Sequence, residues 1–302
     1  MASGKTQQKI AVKMRRLAGV LRPALARIRA GTGPRVLFYR HRLPVRVMHW
    51  INALCVAIML MSGLSIFNAH PMLYWGKASD FNHPILSLDA MQSPDGALHG
   101  ITMVGHHVFH TTGFLGVSNE DGAPTVRGFP SWATLPGPQW LAMGRQWHFA
   151  FAWILAINGL IFFAYAFLSR HFSRDLMPTQ KDIAHLPREI IDHARLRFPK
   201  GEEARHYNAL QKLAYVFVIF VLGPLIVATG LTMSPTMDAA FPQLLWLFGG
   251  RQSARTIHFI CAFSFLGFFI VHIAMVILSG PINNLRSMIT GRYAIRTEPE
   301  NV

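Results

Sequence analysis

Four stretches of this sequence carry no formally charged residue and run 21 or 23 residues each: 47–67, 146–168, 213–233 and 256–278. A helix needs about 20 residues to cross the hydrocarbon core of a bilayer. Buried helices of a water-soluble core would need polar faces, and these stretches lack them. Only 14% of the 302 residues are charged, against about 25% in an average soluble domain. The expected fold is therefore all-α, an integral membrane four-helix bundle. A hydrophobic content of 51% excludes disorder, and two cysteines, Cys55 and Cys261, cannot build a secreted disulfide scaffold. The first stretch does not read as a cleavable signal peptide. It exceeds an h-region of about 7–15 residues, and a basic arm precedes it.

Charge sets the expected orientation. Residues 1–46 hold 12 Lys and Arg and no acid, whereas 68–143 holds only Lys77 and Arg127 against five acids. Residues 170–212 hold nine basic residues, 234–252 only Arg251, and 279–302 three. Segments rich in Lys and Arg stay cytoplasmic, so both termini and the middle loop are expected inside. The net charge of +15 then lines one membrane face and does not call for nucleic acid. In the arm, Ile10, Met14, Leu17, Leu21, Leu25 and Ile28 recur at helical spacing among basic residues. That pattern fits an amphipathic helix on anionic lipid, with a solvated basic tail as the competing reading.

Residues 68–143 form a long outer loop, rich in Gly, Pro and aromatics, that reads as a structured cap. Within it, 101–117 is mildly apolar, but its 17 residues include three Gly and His106, His107 and His110. A fifth span there would also invert the charge alternation. Those three His could ligate a metal, though ordinary loop histidines are the better reading. The inner loop holds a surface helix over 187–198. No internal repeat is evident. The organisation is an arm (1–46), a four-helix domain (47–278) and a tail (279–302).

Of 15 histidines, four fall inside the spans: His49, His148, His258 and His272. Ionisable groups in a membrane are costly and usually functional. His258 and His272 lie within about 40° of one helix face and about 21 Å apart along it. With alternating spans, His49 matches His272 in depth near the inner side, and His148 matches His258 near the outer side. Two stacked bis-imidazole sites are what two haems need, one axial nitrogen on either side of each iron. No Cys-x-x-Cys-His occurs, so the haems would be b-type and non-covalent. Zinc fits less well, since two His complete no zinc site and no span offers Asp or Glu. Gly63, Gly159 and Gly267 could admit a flat macrocycle or simply serve helix packing. Arg46, Arg145 and Arg255 sit at propionate depth or act as interfacial anchors. Cys55 and Cys261 read as small buried hydrophobes.

Three features then resemble the di-haem cytochrome b subunits of nickel–iron hydrogenases, formate dehydrogenases and thiosulfate reductases, in the bacterial cytochrome b561 superfamily. They are Arg46-x-x-His49-Trp50, the spacing of His258 and His272, and Tyr207-Asn208-Ala209-Leu210-Gln211-Lys212 before span three. The resemblance covers residues 40–278. It implies an electron-transfer subunit in the bacterial inner membrane rather than a complete enzyme. A periplasmic oxidoreductase, molybdopterin-dependent or hydrogenase-like, would exchange electrons with the outer haem, and quinone with the inner one. In formate dehydrogenase-like members a similar run helps bind quinone, which makes Asn208 and Gln211 quinone neighbours. Leu210 replaces the family's glycine, so backbone contacts do not carry over. The outer loop is longer than is usual in the family, which implies a particular partner.

Two other functions use the same residues. A stand-alone cytochrome b561 that oxidises superoxide and reduces quinone needs the same four His. A His-dependent proton or metal transporter would bind no haem, and the broken, repeated helices common in transporters are not evident.

Overall fold

The computed structural model describes residues 35–195 and 208–296. The expected arm helix over 5–30 lies outside the described residues, as does the end of the surface helix expected over 187–198. The described elements are β1 (Arg35–Tyr39), α1 (Leu43–Phe67), β2 (Met72–Leu73), β3 (Leu86–Gln92), β4 (Leu98–Val104), β5 (His107–His110), β6 (Gly116–Glu120), β7 (Ala123–Arg127), α2 (Leu141–Leu168), α3 (Gln180–Ala194), α4 (Ala209–Thr232), α5 (Arg251–Leu278), α6 (Pro281–Thr290) and β8 (Arg292–Arg296). Short helical turns, Pro235–Ala240 and Gln243–Leu247, join α4 to α5. Among the described residues four helices, α1, α2, α4 and α5, are long and apolar enough to cross a membrane.

The fold is mostly helical rather than all-α, because strands fill much of the loop over 68–143. The chain divides into two compact units, residues 47–177 with 212–274, and the remainder.

In the first unit, α4 departs from α geometry over Phe217–Leu222, a π segment. Gly223 N–H bonds back five residues to Val218 O. Pro224 follows and has no N–H to continue the α ladder, so the helix widens by one residue there. The loop over 68–143 folds into an antiparallel sheet of order β2-β3-β4-β5 and a hairpin β6-β7. In register, Leu88 faces Thr102, Met103 faces Val108, and Val117 faces Val126. The β6-β7 turn is Asp121-Gly122, both at positive φ (50° and 84°). That is the backbone which matches a two-residue turn to the right-handed twist of a hairpin. Gly116 opens β6 at φ +79° where a Cβ would lie 2.1 Å from Asp89 O, so only glycine lets β6 lie across β3.

This β module is seated on the span ends. Phe67, Leu73, Leu88 and Phe129 form a buried cluster with Phe259 of α5 packed against it. Asn68 clamps the chain both ways, donating from Nδ2 to Phe129 O (3.0 Å) and accepting from Phe129 N (2.7 Å) at Oδ1. Buried Arg127 pairs with Glu120 and donates to Phe129 O, Thr134 Oγ1 and Gly137 O. The start of α5 is tied to residues 74–76: Gly76 N–H donates to Ser253 Oγ (2.7 Å) and Thr256 Oγ1 donates to Tyr74 O (2.6 Å).

In the second unit, β1 pairs antiparallel with β8, and Phe38, Tyr293 and Ile295 make a small core. Asn283 of α6 exchanges two hydrogen bonds with the backbone of Ala294. The surface helix, α3, begins seven residues before the expected start. Thr179 and Asp182 form a reciprocal cap at its N-terminus, which outweighs the expectation that Pro187 opens the helix; Pro187 lies inside it.

Candidate cofactor site: two facing histidine pairs

The structure brings the four span histidines together two by two. His49 on α1 faces His272 on α5, with ring centres 6.2 Å apart and planes at 60°. His148 on α2 faces His258 on α5, again at 6.2 Å, with planes at 62°. A metal between two imidazole nitrogens, with bonds of about 2 Å, separates the ring centres by roughly 6.2–6.4 Å along the line joining them. A direct N–H···N bond of about 2.9 Å would draw the centres to roughly 5 Å. Both pairs match the metal-bridged spacing. Two neutral imidazoles and a planar macrocycle are compatible with lipid, whereas two His alone complete no zinc site.

The His148–His258 pair is gripped from behind. His258 Nδ1 lies 3.0 Å from Ile226 O and 3.1 Å from Thr229 Oγ1. His148 Nδ1 lies 3.2 Å from Ser62 Oγ, and His148 also bonds to the backbone of Met59. A carbonyl can only accept, so Nδ1 of His258 carries the proton and Nε2 is left for a ligand. A Cβ at Gly63 would lie 3.4 Å from His148 Cε1, and one at Gly230 would lie 3.3 Å from His258 Cε1. Gly63 thus makes room for the imidazole of His148. At Gly159 and Gly267 a Cβ would meet no atom of the described residues within 4 Å, so close packing among them does not explain these glycines.

The His49–His272 pair is framed by rings. Phe268 stacks on His272 at 5.8 Å and 19°, and Trp50 meets His49 edge-on at 5.4 Å. Buried Asn158 of α2 reaches across to α1, donating to Met48 O (3.0 Å) and Asn52 Oδ1 (2.7 Å) on either side of His49.

The three arginines at the span ends have protein partners. Arg46 donates to Ile289 O, Arg255 donates to His70 O and lies over Phe67 (5.3 Å), and Arg145 lies over Phe149 (5.5 Å). Burial, and then the Arg255 charge, hold His70 below the ordinary imidazole pKa. Cys55 and Cys261 are buried and free. His107 and His110 are exposed on β5, where their spacing sends them to opposite faces, with His106 in the preceding turn. Among the described residues no cluster of three or more His, Cys, Asp or Glu could hold a metal.

Asn208 and Gln211 engage each other at the start of α4. Gln211 N–H donates to Asn208 Oδ1 (2.8 Å), and Asn208 N–H donates to Gln211 Oε1 (3.3 Å). This reciprocal cap satisfies two otherwise orphan helix donors.

Histidine spacing alone does not single out Ser62, Thr229, Gly230 or Asn158. A signal for the first three exists. Ser62-Gly63-Leu64-Ser65 in α1 recurs as Thr229-Gly230-Leu231-Thr232 in α4. Arg145-x-x-His148-Phe149 in α2 recurs as Arg255-x-x-His258-Phe259 in α5. The expectation of no internal repeat is therefore corrected: α1-α2 and α4-α5 share a short motif pair, hidden by connecting loops of very different length.

The sequence model of the prokaryotic cytochrome b561 family matches residues 40–291. The chain is also 29% identical over 234 residues to a protein of Azospira oryzae named as a putative protein-methionine-sulfoxide reductase subunit, YedZ1; the match covers 78% of this chain and 88% of that one. With four apolar helices and a family match over most of its length, the chain belongs to the prokaryotic cytochrome b561 family, whose members bind haem b, and is a multi-pass protein of the bacterial inner membrane.

Proposed function

We propose that this chain conducts electrons between a periplasmic oxidoreductase and the membrane quinone pool through two non-covalent haem b groups. The observation that carries this reading is the pair of His–His separations, both 6.2 Å, on helices that can span the bilayer. His148 and His258 would hold the outer haem, His49 and His272 the inner one. Bound haem supplies one-electron chemistry between ferric and ferrous iron. The chain's own residues fix the imidazoles, exclude water from their surroundings and set the spacing of the two sites. The 14 residues from His258 to His272 span about 21 Å of helix.

The distribution of Lys and Arg supports cytoplasmic termini. The β module then faces the periplasm and offers the surface on which a partner docks. Similarity to a protein named as a methionine-sulfoxide reductase subunit favours a partner that reduces such a substrate. That reduction consumes two electrons and two protons per sulfoxide and releases water, so electrons would flow from quinol outward. A molybdopterin-dependent partner fits the same role. Asn208 and Gln211 are proposed as quinone neighbours on the resemblance of the Tyr207–Lys212 run.

The test uses the haem-loaded full chain. A reduced quinone analogue should reduce its haems, and mild detergent should bring down a periplasmic oxidoreductase with it. A fully haem-loaded protein that neither accepts electrons from quinol nor retains a partner would refute the proposal.

A further inference from the structure

We propose that Ser62 and Thr229 are positioning residues of the outer site, and that their hydroxyls hold its haem at a lower potential than it would otherwise have. This rests on the two-haem reading above.

The geometry is the same twice over. In α1, Ser62 Oγ lies 3.2 Å from His148 Nδ1, with the Met59 backbone as a second partner three residues earlier. In α4, Thr229 Oγ1 lies 3.1 Å from His258 Nδ1, with Ile226 O at 3.0 Å, again three residues earlier. A glycine follows each hydroxyl residue, and its missing Cβ leaves the imidazole room to approach. Ser62 and Thr229 are both wholly buried at 0% exposure, so water does not compete for these bonds.

The direction of the bonds can be assigned. Thr229 Oγ1 gives its own proton to Leu225 O at 2.8 Å, with Ile226 O at 3.1 Å. Its oxygen is therefore free to accept from His258 Nδ1–H. Ser62 Oγ likewise points its proton at Met59 O, 3.3 Å away. His258 thus donates Nδ1–H to Ile226 O and to the Thr229 hydroxyl, whose own proton is turned elsewhere, and Ser62 Oγ, with its proton on Met59 O, can accept from His148 Nδ1–H in the same way. Drawing that proton outward makes Nε2 a stronger donor, which favours ferric over ferrous iron. It also fixes the tautomer and the ring plane.

The inner pair lacks this support. Among the described residues, no hydrogen bond holds a ring nitrogen of His49 or His272. The repeat does not extend to it either. His49 precedes Ser62 by 13 residues, and the residue 13 before Thr229 is Val216; His272 follows His258 by 14, and the residue 14 after His148 is Phe162. The outer site is built from two like halves, the inner from one residue of each half. The two hydroxyls should therefore act on one haem alone.

The experiment is a redox titration of the haem-loaded full chain carrying Ser62→Ala, Thr229→Val or both, followed by optical and EPR spectra. The outer midpoint should rise in each single variant and further in the double variant, while the inner midpoint stays in place. Ser62→Thr/Thr229→Ser keeps both hydroxyls and should keep the wild-type outer potential and EPR signature. If the double variant sheds the outer haem while the hydroxyl-preserving variant retains it, the positioning role stands. An unchanged outer midpoint, an equal shift of both haems, or equal haem loss in both variants would overturn the proposal. A wild-type protein that binds no haem would instead refute the two-haem reading.

Discussion

Replacing Asn158 by Ala probes how the helices hold the inner pair. Asn158 lies in mid-α2, 5% exposed, and makes two bonds to α1, to Met48 O and Asn52 Oδ1. Interhelical hydrogen bonds in membranes average about 0.6 kcal/mol, with a maximum near 1.7. Two of them, with Asn52 Oδ1 left short of a donor, set the expected loss at about 1–2 kcal/mol. Met48 and Asn52 flank His49 on one turn of α1, so the loosening falls on the His49–His272 site. Thermal loss of the haem absorption band, followed with EPR to resolve the two irons, would read it. Asn158→Ala should release the inner haem at lower temperature than wild type and leave the outer one nearly unmoved. Asn52→Ala/Asn158→Ala should cost less than the two single changes added together. Earlier release of the outer haem, or additive costs, would refute this account of Asn158.

Three further outcomes are expected. His49→Ala and His272→Ala should remove one and the same EPR signal, and His148→Ala and His258→Ala the other; a crossed pattern would break the pairing. Arg127→Met should destabilise the β module by about 2–3 kcal/mol, at the low end for a broken buried pair because Glu120 is 24% exposed. Limited proteolysis should then cut residues 72–140 faster while haem content holds, and unchanged proteolysis would count against it. Asn208→Ala/Gln211→Ala should slow haem reduction by quinol with haem spectra intact. A lower protein yield with an unchanged rate per haem would leave the pair as the helix cap it forms.

The sequence is most readable where the bilayer dictates it. A charge-free run of 21 residues has few alternatives to a spanning helix, so all four long helices are expected, although each begins before its apolar run, at Leu43, Leu141, Ala209 and Arg251. Each early start adds residues, Arg145 and Arg255 among them, that continue the helix beyond that run. The β module is harder to read, because Gly, Pro and aromatics dominate the composition of the loop and mask its local turn chemistry. Pro94-Asp95-Gly96 and Asp121-Gly122 stand between short runs that pair as β3-β4 and β6-β7, and Asp-Gly between such runs is a strong hairpin signal. The β1-β8 ribbon pairs segments more than 250 residues apart, and no local pattern encodes such a pairing. Histidine periodicity leads to the four imidazoles, but the residues behind them are small and neutral. Ser62 and Thr229 resemble ordinary span residues until their distance to Nδ1 is known. A repeat of four residues, Ser-Gly-Leu-Ser against Thr-Gly-Leu-Thr, becomes meaningful only when both copies lie against the same kind of ring.

The most direct measurement of the central claim is haem stoichiometry with spin state, by pyridine haemochrome assay and EPR on purified protein produced with ample haem. Two His pairs at metal-bridging distance predict close to two haem b per chain, both low-spin. One haem per chain, none, or a high-spin iron in the native protein would contradict it.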